Sequence, residues 1–596
     1  MRQRKLIQGQ VVRNGGERRS LSVELAGPHG FLSAILLCAL AAGICHPYLL
    51  GRDEPREAEI ARETLVDGHW VTPHLCGLPF LEKPPLYYDL VAASYKLTGL
   101  ISPSVARSTS ALLALVMLAA TFLLAYRWAG ARSAWLSALV LLAMPQFFRY
   151  SHTIVLDIAV GTFCTIALVA FVYWAVWTRR SHRGRWLYLF YFACAGAFLS
   201  KGLIGIFHVL LIVGAFLLLR RRFALLKGLL APGPLLVFLV PVAIWVYLFY
   251  REGGVAYLHE HFINNTIGRF LRIHFTLAGA NFHHTDLGNK EPWHFYLSSL
   301  PRIAGITLAV LPLALWDQWK AICMLRRSHR ASGRRDADLR LLLILWALLP
   351  ALCLSFSSIK ETSYILPSYA AMAVLAGCWV DRRLAQSGFD GWSGVGWLAV
   401  IFPFAAMSLL APHMALRPYL FLTMGAMVVA LAMLAFLFHR KAYTAGTFLL
   451  LALALNAVIV YNSPNVLLHR DGCHLAFARQ VWVQVGEAPL FLYRPNDPIR
   501  GCVPFGGNRL AQEIDLPEQL RATLSSKDRT FVLMRDRAYN WEPTASALRG
   551  LDLQTVHLID DDQTGDRYEF VLINNGSGFL ERAITARFSE DYQGAR

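Results

Sequence analysis

Between two strongly apolar segments lies GRDEPREAEIARETLVDGHWVTPHLCGLPFLEKPPLYY, residues Gly51 to Tyr88. It carries Asp53, Glu54, Glu57, Glu59, Glu82 and Lys83. Carboxylates enter hydrocarbon only at a cost, so the stretch is expected at a membrane surface or around a wet cavity. Asp53, just after the first apolar run, suits a helix cap or first turn. It equally suits a general base at a cavity. Asp157 opens another apolar run within SHTIVLDIAV, where an acid is either a functional group or a favourable first-turn charge. Lys83, Lys201, Arg269 and Lys360 are cations suited to a phosphate. Each has a plainer reading, either a weak surface ion pair for Glu82-Lys83 or a basic side chain reaching back to the interface. Taken as a set, carboxylates for base chemistry and cations for an anion suggest a lipid-phosphate donor and a hydroxyl acceptor.

Those residues have to be positioned by membrane helices. The chain has 596 residues, 56% hydrophobic and 16% charged, with a mean hydropathy of +0.42. Apolar runs fall near 31–50, 104–126, 133–149, 154–177, 186–200, 203–219, 229–250, 295–316, 339–356, 362–380, 394–411, 416–438 and 443–461. With about 20 residues per span, fewer where a span is short or broken, the count is about thirteen. The expected fold class is an all-α polytopic membrane protein with a small α/β domain outside the membrane. The net charge of +18 does not indicate nucleic acid, because the basic residues sit in short clusters between apolar runs. The clusters are the tail of residues 1–30, Arg127 with Arg132, Arg179 to Arg185, Arg220 to Lys227, Arg326 to Arg340, Arg382 with Arg383, and Arg440 with Lys441. They occur at every second connection, so they predict a cytoplasmic N-terminus and an outer C-terminus. The outer side then receives the 51–103 loop, Asp157, Lys201, the 251–294 loop, Ser357 to Tyr364 and everything after Tyr461. Chemistry on one face predicts an enzyme acting at one leaflet.

In the first outer loop, Pro55 suits a first helical turn. Ala58, Ala61 and Leu65 share one face, which predicts a short amphipathic helix lying on the membrane. Leu86–Leu97 is a second interfacial candidate. The 251–294 loop holds His259, His261, His274, His283, His284 and His294 with Glu260, Asp286 and Glu291. Such residues can bind zinc, but no tight ligand spacing appears, which favours a polar interfacial loop. The tail beyond about 465 predicts strands at Leu490–Tyr493, Thr530–Met534, Leu553–Ile559 and Tyr568–Ile573, and helices at His474–Val485 and Pro517–Leu524. No catalytic motif occurs in it. Most of the ten cysteines lie in apolar segments. Cys473 and Cys502 are the expected disulfide of the outer domain, with Cys76 as competitor.

The blocks GRDEPREAEIARETLVDGHWVTPHLCGLPFLEKPP, TIVLDIAVGTF, LSKGLIG, NTIGRF, EPWHFYL and IKETSYILP resemble, in order, the GT-C glycosyltransferases. The specific likeness is to the bacterial 4-amino-4-deoxy-L-arabinose lipid A transferases and their protein O-mannosyltransferase relatives. The resemblance implies transfer of a sugar from a polyprenyl-phosphate carrier to a lipid or protein acceptor outside the bacterial inner membrane. It implies Asp53 as the catalytic residue and Asp157 as a second cavity aspartate. Lys83, Arg269 and Tyr364 match residues around the carrier phosphate, and Lys201 matches a lysine lining that cavity. Glu54 and Lys360 join them as candidate substrate-binding residues. Glu82 matches a glutamate that binds a divalent metal, the one cofactor the resemblance implies. Three departures stand out: Glu57 replaces a tyrosine, Thr266 a histidine, and Glu361-Thr362 interrupts the block around Tyr364. The expected reaction is an inverting transfer, needing no nucleotide because the lipid phosphate already activates the donor. The rivals are a lipid-linked-sugar flippase without transfer chemistry, and an O-antigen ligase or polymerase.

Overall fold

The computed structural model describes residues 44, 49, 51–177, 183–271, 273, 275, 290–305, 307–325, 331–385, 475–526, 528–561 and 567–575. The N-terminal tail, the run at 31–50 apart from residues 44 and 49, and the three runs between 394 and 461 lie outside the described residues. So do Cys473, His274, His283, His284 and Asp286.

The membrane part opens with helix α1 (Asp53–Asp67), a two-strand ribbon of β1 (His74–Leu75) and β2 (Leu78–Pro79), and α2 (Leu86–Thr98). Long apolar helices follow. They are α3 (Pro103–Ala129), α4 (Ala131–Leu142) with the short α5 (Pro145–Ser151), α6 (Asp157–Val172), α7 (Arg183–Lys201), α8 (Leu203–Arg220) and α9 (Pro232–Leu258). After them come α10 (Phe295–Ala304), α11 (Thr307–Leu325), α12 (Ala331–Leu354) and α13 (Tyr369–Ala385), the last led in by a 3-10 turn from Thr362. Among the described residues seven helices are long and apolar enough to cross a membrane, or eight if a bent pair counts as one span. The local rules are visible at α3, where the Ser102 hydroxyl accepts from Val105 N, Pro103 fills the first turn, and Gly130 follows the end.

The structure corrects four expectations. The run at 133–149 is α4 and α5, bent by 76°. The run at 295–316 is split between α10 and α11 at Gly305, which has φ 54°. The expected loop from 251 begins as helix, because α9 continues with wider turns to Gly268, bending at Gly254. Lastly, α1 does not lie on the membrane with its polar face wet. Glu54, Glu57, Glu59, Arg62 and Glu63 are all buried. Their burial is tolerated because each charge has a partner. Arg62 pairs with Glu59 at 2.7 Å, and Glu63 accepts from Cys76 N at 2.7 Å and Gly77 N at 3.1 Å.

The C-terminal region contains α14 (Leu475–Val485), β3 (Leu490–Tyr493), α15 (Asp497–Gly507), β4 (Ala511–Ile514) and α16 (Pro517–Leu524). It continues with β5 (Phe531–Arg535), α17 (Glu542–Leu548), β6 (Gln554–Asp561) and β7 (Arg567–Asn574). The sheet order is β4-β3-β5-β7-β6. Strand β3 runs parallel to β4 and β5, while β7 is antiparallel to β5 and β6. All four expected strands are present within a residue or two, and β4, α15 and α17 are additional. Helix α15 rests on α1 so closely that a side chain at Gly501 would meet the Pro55 carbonyl carbon at 2.2 Å and Arg56 N at 2.5 Å. The Cys76 thiol donates to the Arg500 carbonyl at 3.2 Å.

Candidate active site

Asp53 sits in the first turn of α1 with its side chain 58% exposed. Its Oδ1 accepts from Arg56 Nη2 at 2.7 Å, and the same nitrogen donates to Glu57 at 2.8 Å. Burial alone would raise the Asp53 carboxyl, but Arg56, Lys83 and Lys201 outweigh it and hold it below its ordinary value. Asp53 is therefore an ionised, accessible carboxylate.

Glu82 and Lys83 occupy the turn between β2 and α2, stiffened by Pro84-Pro85. The Glu82 Oε2 atom accepts from Lys83 Nζ and from Arg269 Nη1, each at 3.1 Å. Burial would raise Glu82, yet Lys83, Arg269 and Arg56 drive it well below the ordinary carboxylate range. Lys83 is lowered to about 8, first by burial and then by Arg269 and Lys201, with Glu82 opposing. A lone carboxylate already holding two cations does not fit a divalent metal. Among the described residues no three metal-binding side chains converge.

Lys201 ends α7 because Gly202, with φ 65° and ψ −145°, breaks the helix in a conformation that side chains avoid. The exposed helix end places Lys201 Nζ 2.5 Å from the Asp157 carboxylate at the start of α6. The same ammonium lies 4.6 Å from the centroid of the Tyr364 ring, a cation–π contact. Asp157 thus serves to hold Lys201. Lys360 is turned to the Glu291 carbonyl, to which it donates at 2.7 Å. Glu361 is raised by burial and by repulsion from Asp53 and Asp157.

Asp53, Glu82, Lys83, Asp157, Lys201, Arg269, Lys360 and Tyr364 all line one cavity of about 1300 Å³. Glu54 does not. Its carboxylate accepts from Arg107 at 3.0 and 2.6 Å and from Ile154 N at 3.0 Å. Glu54 ties α1 to α3 and to the segment before Asp157, a different place from the expected substrate contact.

Several lining residues carried no sequence signal. Arg56 binds the carboxylates of its own helix. Gln146 and Glu361 line the cavity from α5 and the turn before Tyr364. The tail without a motif supplies Asp497, Arg500, Glu513, Asp515 and Gln519 to the same cavity. Arg500 meets Glu513 at 2.8 Å, and burial, only partly opposed by Arg500, pushes Glu513 up to about 7. Arg52 bridges to Asp497 at 2.8 Å, joining tail to α1.

Residues 52–254 match the dolichyl-phosphate-mannose-protein mannosyltransferase family. The chain also aligns over 92% of its length with ArnT from Cupriavidus metallidurans bound to undecaprenyl phosphate, covering 98% of that chain with a TM-score of 0.74 at 20% identity. The likeness shows that the chain has the fold of that structure. Among curated relatives, the undecaprenyl phosphate-alpha-4-amino-4-deoxy-L-arabinose arabinosyl transferase of Aeromonas salmonicida is 29% identical over 60% of this chain and 61% of its own length. The enzyme of that name from Pseudomonas aeruginosa is 31% identical over 60% of each chain. The match to such relatives therefore spans about three fifths of their length. The motif blocks are thus similar to those of arabinosyl transferases and of the mannosyltransferase family, and the polytopic fold with an α/β region matches its expectation.

Proposed function

We propose that this protein is a GT-C glycosyltransferase that moves a sugar from a polyprenyl-phosphate carrier to an acceptor at the outer face of a bacterial inner membrane. The observation that carries the reading is the convergence, in one cavity, of Lys83, Lys201, Arg269 and Tyr364 with the open carboxylate of Asp53. Its relatives' names, which specify undecaprenyl-phosphate donors, support it.

In the proposed reaction the acceptor hydroxyl gives its proton to Asp53 as its oxygen attacks the anomeric carbon. The bond from that carbon to the phosphate oxygen breaks on the opposite side, so configuration inverts. Negative charge grows on the departing polyprenyl phosphate. Lys83 and Lys201 meet it as point charges, Arg269 as a planar fork and the Tyr364 hydroxyl as a donor. Asp157 fixes Lys201 in place, and Glu82 orients Lys83 and Arg269 until the phosphate arrives. No step needs a metal.

The test is transfer itself. Purified protein in lipid nanodiscs is given undecaprenyl phosphate bearing a radiolabelled sugar, with bacterial envelope as acceptor. Label leaving the carrier for an envelope component is the expected result. Label that changes leaflet but stays on the carrier would establish the flippase instead.

A further inference from the structure

We infer that His208, within α8, is a positioning residue of the phosphate clamp: it holds the turn that presents Tyr364, while the Tyr150–Thr362 contact holds the entry to that turn. The inference rests on the reading of Tyr364 as a ligand of the carrier phosphate and deepens it.

The turn Thr362–Ser368 is a 3-10 helix. In such a helix each carbonyl accepts from the N–H three residues on. For Tyr364 that residue is Pro367, which has no N–H. The pattern therefore leaves the Tyr364 carbonyl without its donor, in a turn where Thr362, Ser363, Ile365 and Leu366 are buried. A buried carbonyl needs a partner. His208 supplies one, with Nε2 2.7 Å from the Tyr364 carbonyl oxygen. A carbonyl only accepts, which places the ring proton on Nε2. His208 is 1% exposed. It stands behind the cavity wall, which its neighbours Ile204 and Phe207 line. It therefore acts on a bound phosphate through Tyr364.

The rest of the turn is tied to three further helices. The Thr362 hydroxyl lies 2.8 Å from the Tyr150 hydroxyl on α5. The Thr362 carbonyl accepts from the Tyr369 hydroxyl at 3.2 Å, at the start of α13. Trp346 Nε1 on α12 donates to the Pro367 carbonyl at 2.7 Å. Thr362 is one of the two residues that interrupt the motif block around Tyr364, and Tyr150 is what it meets. Helix α8 is a fixed base for His208, because the Cys164 thiol on α6 donates to the Gly205 carbonyl at 3.0 Å. Helix α6 begins with Asp157, which holds Lys201. Lys201 and the Tyr364 ring, in contact at 4.6 Å, are thus set in one frame before a phosphate arrives. Groups already held in place give up little freedom on binding.

The experiment measures the Kd for undecaprenyl phosphate on full-length protein in nanodiscs. His208→Leu and Thr362→Val are each made in the wild-type and in the Tyr364→Phe background. Tyr364→Phe keeps the ring and removes the hydroxyl. In the wild-type background each variant should weaken binding roughly tenfold, the weight of one misplaced hydrogen bond to a charged group. In the Tyr364→Phe background each should cost less than about threefold, because the hydroxyl it positions is gone. A general loss of packing would cost the same factor in both backgrounds, and that result overturns the inference. His208→Gln has an amide that can donate to the same carbonyl, so it should bind within about threefold of wild type. A loss equal to that of His208→Leu also overturns the inference. Should His208→Leu not fold, His208→Asn takes its place, with an amide too short to reach the Tyr364 carbonyl. If Tyr364→Phe alone binds the carrier as tightly as wild type, the clamp reading of Tyr364 falls and this inference with it. If Tyr364→Phe weakens binding while His208→Leu and Thr362→Val do not, the positioning role falls alone.

Discussion

Lys83 shows how the site balances charge at the level of single residues. It is surrounded by Glu82, Arg269 and Lys201, and its affinity for a proton drops to about 8. Below that pH it is a cation ready for phosphate; above it the charge is lost. Undecaprenyl phosphate affinity should therefore fall above pH 8, by up to about tenfold per pH unit. Lys83→Arg, which stays charged, should flatten that limb in a binding titration. Glu54 and Arg107 are the structural counterpart, 3% and 0% exposed and bonded only within the protein. Arg107→Ala strands a buried carboxylate and should cost about 3–5 kcal/mol, read as a lower melting temperature. Glu54→Gln with Arg107→Met should recover most of it. The sequence displayed Asp53, Lys83 and Asp157 as chemistry, because charge beside apolar runs is conspicuous. It did not separate Glu54 from Asp53, since the distinction lies in Arg107, 53 positions away.

At the level of elements, two glycines set the geometry. Gly202 ends α7 where Lys201 can reach Asp157. Gly501 lets α15 press on the backbone of Pro55 and Arg56, directly behind Asp53. Gly501→Val should push α1 aside, costing about 1–3 kcal/mol of stability. It should also lower kcat more than carrier affinity, because the clamp residues sit on other elements. Stability by thermal melting and kcat from initial rates check both parts. Strands of the tail were readable from short runs of β-branched and aromatic residues between turns. The docking of α15 on α1 was not, because close backbone approach leaves only a glycine and no periodicity. The buried polar face of α1 was misjudged for a related reason. Amphipathic spacing reports which residues are polar and not whether partners elsewhere neutralise them.

Across the whole molecule, the basic clusters expected in the cytoplasm meet one another. Arg220 and Arg222 both pair with Asp338, Arg132 with Asp381, and Arg383 with Asp317. Helix α8 carries Arg220 at this end, and its other end, at Leu203 and Ile204, lines the cavity. Reporter fusions after Arg222 and Arg335 should report cytoplasm, and a fusion after Arg596 should report periplasm; a cytoplasmic Arg596 would reverse the tail's role. Charge alternation alone indicated that the site residues share a side. That the tail closes the site could not be read this way, since no pattern in it is catalytic. The central claim is a division of labour between the base Asp53 and the phosphate clamp. The direct measurement is the transfer rate of Asp53→Asn and Arg269→Lys as donor concentration rises. Asn preserves the first turn but not the base, so its rate should stay about 10²–10⁴-fold low at every donor concentration. Arg269→Lys keeps the charge and loses the fork, so added donor should restore much of its rate. Equal rescue of both variants, or near-normal turnover by Asp53→Asn, would contradict the account.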